Sequence, residues 1–214
     1  MSTIAIAGGH GKLAMLLGGL LATRGDTARG LIRKPEQADD LRAAGIEPML
    51  CDLEGDGNVA AAVRGADAVV FAAGAGPGSG DARKRTVDLG GAVKLIEAAR
   101  AEGVSRYLIV SSINADKVSE HASEGFGAYL RAKFEADEAV RASGLDWTIV
   151  RPGRLTDEPG TGLVAASMKL DYGEIPRADV AAVLVACLDD PGTIGKSFDL
   201  VAGNTPIPEA IAAI

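Results

Sequence analysis

Gly8, Gly11 and Ala14 stand at three-residue intervals in "GGHGKLA", directly after the apolar run "TIAIA" of residues 3 to 7. Glycines this dense cost conformational entropy, so the backbone here must need to be bare. Between a strand and a helix, the spacing G-x-x-G-x-x-A gives a tight turn, a backbone that a pyrophosphate can approach, and a small residue where helix packs on strand. The helix end beyond it supplies free N–H groups and a partial positive charge. Gly9, His10, Lys12 and Leu13 complete the loop and are expected beside the same phosphates, with His10 as a hydrogen-bond donor and not a catalytic base. Where a carboxylate would hold an unphosphorylated ribose, "LIRKPEQ" offers Arg33 and Lys34, which suit a 2′-phosphate and so NADP(H) over NAD(H). A solvated charged loop is the alternative. In "AYLRAK", Tyr129 and Lys133 are four apart and share one face of a helix. A phenol that gives up its proton near neutral pH gains from such a cationic neighbour.

Short apolar runs must carry these groups. Strands are expected at residues 3 to 7, 27 to 33, 47 to 53, 67 to 73, 106 to 112 and 146 to 152, with helix-period segments between them. Pro35 sits where a helix can start. A helix at 177 to 190 and a strand at 197 to 203 close the chain. Such alternation implies right-handed crossovers and a doubly wound parallel α/β sheet of Rossmann type, one domain over residues 1 to 214. The irregular stretches 74 to 82, 113 to 127 and 153 to 176 each follow a strand's carboxyl end, where such a sheet binds ligands.

The formal charge is −7 and the isoelectric point about 4.9, so the surface lacks the field that nucleic acid requires. No apolar stretch reaches spanning length, and no cleavage site follows the run after Lys12, so a cytoplasmic protein without a membrane partner is expected. Cys51 and Cys187 lie in apolar runs without metal-ligand spacing and read as core residues. His121 reads as a solvent-facing loop residue, with an acid near a substrate as the alternative. The cluster "DARKR" at 81 to 85 reads as a solvated helix start, with attraction of an anionic substrate to the rim as the alternative; Trp147 reads as core. Oligomeric state, monomer or dimer, stays open.

With "RKPEQA", "CDLE", "FAAGAGPGSG", "LIVSSINAD" and "DWTIVRPGRLTDEPGTG" following successive strands, nearly the whole chain resembles the short-chain dehydrogenase/reductase superfamily, specifically its atypical NmrA-like NAD(P)H-binding group. The resemblance implies that Asp52 and Leu53 border an adenine, and that Ala72, Ala73 and Gly74 let the adenosine half pass. It places Ser111, Pro152 and Gly153 by the nicotinamide half. It implies Tyr129 as proton donor, Lys133 as ribose anchor that lowers the tyrosine pKa, and Ser112 as the group polarising a substrate carbonyl. Asp88 matches a polar position the family keeps, with helix-surface solvation as an equal reading. The segment from Ser112 to Tyr129 is longer than in ordinary members. The expected function is an NADPH-binding oxidoreductase reducing a small carbonyl, quinone or flavin-like acceptor. The alternatives are a non-catalytic NADP(H)-sensing regulator and an NAD-dependent dehydratase or epimerase.

Overall fold

The computed structural model describes residues 1–55, 57–76, 80–117 and 124–214. Strand β1 (Thr3–Ala7) leads into helix α1 (Lys12–Thr23), followed by β2 (Thr27–Ile32), α2 (Ala38–Ala43), β3 (Glu47–Leu50), α3 (Val59–Val63) and β4 (Ala68–Phe71). Then come α4 (Gly80–Lys84), α5 (Gly91–Ala101), β5 (Arg106–Val110), α6 (Glu124–Arg141) and β6 (Asp146–Pro152). The remainder adds β7 (Arg154–Thr156), β8 (Leu163–Ser167), β9 (Glu174–Pro176), α7 (Arg177–Asp189), β10 (Lys196–Ala202), β11 (Thr205–Pro206) and α8 (Ile207–Ala212). A π-helical segment, Arg85–Gly90, joins α4 to α5. None of the described helices is long and apolar enough to cross a membrane.

Nine strands form one sheet in the order β11-β8-β10-β6-β5-β4-β1-β2-β3. From β10 to β3 every pairing is parallel, as the alternation of strand and helix requires. Period-two alternation divides β1, β2, β4, β5 and β6 between two cores. Ile4 and Ile6 of β1 join Leu13, Leu17 and Leu21 of α1 and the apolar face of α7, while Ala5 and Ala7 join α3, α5 and α6 on the opposite side. The chain runs outward through β1, β2 and β3, then returns to β4 on the other side of β1. That reversal opens a crevice beyond the carboxyl ends of β1 and β4, the place where open parallel sheets take ligands.

Three expectations are corrected. The stretch 153 to 176 is not all loop: β8 pairs antiparallel with β10 and covers its edge, with Val164 fully buried, while β7 and β9 pair in a separate two-stranded sheet. The strand expected over 47 to 53 stops at Leu50, because the Asp52 carboxylate accepts the Glu54 N–H at 2.9 Å and turns the chain. Part of the irregular stretch 74 to 82 is already helix from Gly80. The reading of His121 lies outside the described residues.

The β1–α1 turn is pinned to β2 by the Gly9 N–H donating to the Leu31 carbonyl at 2.9 Å. A Cβ on Gly9 would sit 2.7 Å from the Gly30 backbone, whereas one on Gly19, on the outside of α1, meets nothing within 4 Å. In urea denaturation, Gly9→Ala is therefore expected to lose about 1–3 kcal/mol through overpacking. Gly19→Ala is expected to gain about 0.5–1 kcal/mol through helix propensity.

Candidate functional site

The glycine loop has the geometry of an anion cradle. Gly8 has φ +79°, a region that favours glycine, and its carbonyl accepts the Gly11 N–H at 2.7 Å, closing the turn. Gly11 is the N-cap of α1, and among the described residues no side chain caps that end, which leaves its first-turn N–H groups for a ligand. Ala14 is buried where α1 meets the sheet. Gly9 supplies packing against Gly30 and lines neither cavity described below.

Two cavities flank the loop, of about 780 Å³ and about 330 Å³. Gly11 and the run Ala72, Ala73, Gly74 and Ala75 line both, so the two are lobes of one cleft across the β1/β4 reversal. Lys12 and Leu13 face the larger lobe. His10, Arg33, Asp52 and Leu53 face the smaller. The His10 ring, expected at the phosphates, instead engages Asp40 of α2, Nε2 to Oδ2, at 2.8 Å. Lys34 lies outside both lobes and pairs with Glu36 at 3.6 Å.

A buried ion pair floors the larger lobe. Lys133 Nζ donates to the Val110 carbonyl at 3.0 Å and lies 3.2 Å from Asp88 Oδ1. Asp88 is fully buried, which settles its two readings against surface solvation, and its other oxygen accepts the Ala75 N–H at 3.1 Å. Burial works against the ammonium, but Tyr129, Asp88 and Asp137 outweigh it and hold the Lys133 pKa above its ordinary value. Lys133 Nζ sits 5.8 Å from the centroids of both the Tyr129 and Phe71 rings. Tyr129 is half-buried, faces the same lobe, and stacks on exposed Phe126 with centroids 6.1 Å apart. The spacing of the tyrosine and lysine thus does bring them together.

Of the two serines at the end of β5, Ser111 lines the lobe and Ser112 does not. The buried Ser111 hydroxyl has no partner in hydrogen-bond geometry among the described residues, whereas Ser112 Oγ turns to its neighbour's carbonyl, that of Ile113, at 3.3 Å. Behind Ser111 lies Asp137, one turn beyond Lys133 on α6, bound by Arg151 Nε at 2.9 Å and Nη2 at 2.8 Å. Burial pushes the Asp137 carboxyl up, against the opposing pull of Arg151 and Ser111. Pro152 and Gly153 line neither lobe. Their backbones are spent on pairing, the Pro152 carbonyl with the Ile113 N–H and the Gly153 N–H with the Leu200 carbonyl.

Several lining residues had no sequence signal of their own. Leu155 and Arg177 reach the larger lobe from beyond β6. Arg177 binds Asp157 at 2.5 Å and Lys12 binds the other oxygen of the same carboxylate, so Asp157 joins the starts of α1 and α7. Arg83, from the cluster read as solvent-facing, lines the smaller lobe with Glu54. Lys94 holds the rim of that lobe, donating to the Leu53 and Gly55 carbonyls at 3.0 and 2.9 Å. Cys187 is buried and its thiol is pushed up to about 12 by burial, in keeping with a core role.

Comparison with known proteins adds the following. The profile of a family described as NAD(P)H-binding matches residues 8–191. The chain is 43% identical over 208 residues to the Bacillus subtilis (strain 168) protein named uncharacterized sugar epimerase YhfK, covering 96% of this chain and 97% of that one. It is 33% identical over 220 residues, 98% of this chain and 70% of the other, to the (4-alkanoyl-5-oxo-2,5-dihydrofuran-3-yl)methyl phosphate reductase of Streptomyces griseus. Among solved structures, a Bacillus halodurans protein described as an NAD-dependent epimerase/dehydratase superposes with a TM-score of 0.94 at 35% identity, covering 100% of both chains.

Removing either partner of a buried ion pair leaves the other charge stranded, which costs about 3–5 kcal/mol. Asp88→Asn and Lys133→Met are each expected to lower urea stability by amounts of that order. The double variant is expected to lose clearly less than the sum, as a double-mutant cycle would read directly.

Proposed function

The chain belongs to the NAD(P)H-binding family, and from that premise we propose that it is an NADPH-dependent oxidoreductase acting on a small carbonyl, quinone or flavin-like acceptor. The observation that carries the proposal is the meeting of Tyr129, Lys133 and Ser111 in one lobe of about 780 Å³ that opens onto the glycine loop. The residues present fit a dinucleotide: an uncapped helix start behind Gly8 and Gly11 for the pyrophosphate, small residues Ala72 to Gly74 between two lobes, and arginines at the far lobe. When bound, the nicotinamide supplies the hydride.

The protein's own residues then position the acceptor and supply its proton. An acceptor oxygen in the larger lobe meets Ser111, which lines that lobe and takes the polarising role assigned by resemblance to Ser112 once its hydroxyl turns from Asp137. Tyr129 would donate its phenolic proton to that oxygen as the acceptor is reduced. The Lys133 ammonium, fixed by Asp88 and the Val110 carbonyl, stabilises the phenolate left behind, and solvent at the half-exposed ring restores the proton. The Streptomyces griseus relative is named as a reductase, which supports this reading.

A second reading is epimerisation, the reaction in the name of the Bacillus subtilis relative. There the same tyrosine and lysine would serve a redox cycle with no net change in the cofactor.

Acceptor-dependent oxidation of NADPH separates the two. A panel of small carbonyls, quinones and flavins is expected to contain at least one acceptor consumed in equal amount with NADPH. With that acceptor, Tyr129→Phe is expected to lower kcat by about 100-fold or more while leaving the Kd for NADPH within about twofold. Turnover of a sugar nucleotide without net NADPH loss would favour epimerisation. An unchanged kcat in Tyr129→Phe would remove the proton-donor role.

A further inference from the structure

At the exposed side of the smaller lobe one carboxylate is held by three donors. Arg83 Nε and Nη2 donate to Glu54 Oε2 at 3.2 and 3.1 Å, Thr86 Oγ1 donates to Oε1 at 3.0 Å, and Arg33 Nη1 lies 3.5 Å from Oε2. The three donors come from separate places: Arg33 from the end of β2, Arg83 from α4, Thr86 from the π-helical segment. Arg33, Arg83 and Glu54 line the smaller lobe together with Asp52 and Gln37. Two guanidinium groups and a hydroxyl around one anionic oxygen pair are the donor set that a phosphate monoester takes. Here the chain's own carboxylate occupies it, and the side chains of Arg33, Arg83 and Glu54 remain 45%, 36% and 28% exposed, open enough to exchange partners.

We propose that Glu54 is an internal counter-ion that sets nucleotide selectivity: it competes with a ribose 2′-phosphate for Arg33 and Arg83 and so moderates the preference for NADP(H) over NAD(H). This rests on the dinucleotide reading above and adds two residues to it. Arg83 is a second arm of the phosphate site, and Glu54 is the group that must give way. An incoming dianion gains both arginines only if the carboxylate withdraws or is neutralised, because like charges at hydrogen-bond range oppose one another. A ligand with a free 2′-hydroxyl does not compete for the two arginines and leaves Glu54 in place.

Calorimetric titration of NADPH, NADH, adenosine 2′-phosphate and adenosine 5′-phosphate tests this without turnover. Glu54→Gln, which keeps the shape and removes the charge, is expected to tighten NADPH and adenosine 2′-phosphate about tenfold and to leave NADH and adenosine 5′-phosphate within about twofold. Arg83→Ala is expected to weaken the two 2′-phosphorylated ligands about tenfold and spare the other two. If the parent protein binds neither NADPH nor NADH, the functional reading falls and the proposal with it. If both bind and Glu54→Gln leaves their affinity ratio unchanged, or weakens NADPH because the carboxylate holds the arginines in place, the proposal alone is overturned.

Discussion

An ammonium group inside a protein has to find its partners there, and Lys133 finds them on three other segments. The Val110 carbonyl at the end of β5, Asp88 in the π-helical segment and, through Asp88, the Ala75 N–H after β4 all meet at this one side chain. The desolvation cost of such a charge falls steeply only when each partner is in place, so the end of β5, the loop after β4, the helix behind it and α6 are tied together. The result is a fixed floor for the larger lobe, with the Tyr129 ring above the same ammonium. The π turn has its role here: a wider turn amid Arg85–Gly90 carries Asp88 fully inside the protein, and such local departures from α-helix gather at functional positions.

From that floor the cleft acquires direction. At one end stand a lysine, a tyrosine and a serine, the set that the proposed function uses to hold and protonate an acceptor oxygen. In the middle, small residues and the bare start of α1 leave room for a linker of phosphates. At the other end, Arg33 and Arg83 share a carboxylate. On the proposed reading these three parts follow the order of the parts of a nicotinamide dinucleotide, with the β1/β4 reversal setting their axis.

Much of this was legible in the sequence where a local rule governs. β1 and β6 begin and end where their apolar runs do, the glycine spacing marks the β1–α1 turn, and four-residue spacing brings Tyr129 and Lys133 to one lobe. What escaped depends on parity or on distant partners. Adjacent serines after a strand point to opposite sides, so Ser111 faces the lobe while Ser112 turns away, a choice that shifts with a one-residue change in register. Asp88 has the look of a surface helix residue until the π turn rotates it inward. Arg83 sits in a charge cluster that reads as solvated, and its role depends on Glu54, which belongs to another crossover. Asp137 did have a local signal, since it continues the Tyr129 and Lys133 spacing by one more helical turn and meets Arg151 of the adjacent strand β6.

The central claim is that one dinucleotide spans both lobes with its nicotinamide beside Tyr129. The most direct test is a crystal structure of the protein grown with NADP⁺. The account predicts pyrophosphate at the first turn of α1, the 2′-phosphate between Arg33 and Arg83, and the nicotinamide ring in the larger lobe within reach of Tyr129 and Ser111. A nucleotide bound with its nicotinamide outside that lobe, or in the reverse orientation, would contradict it.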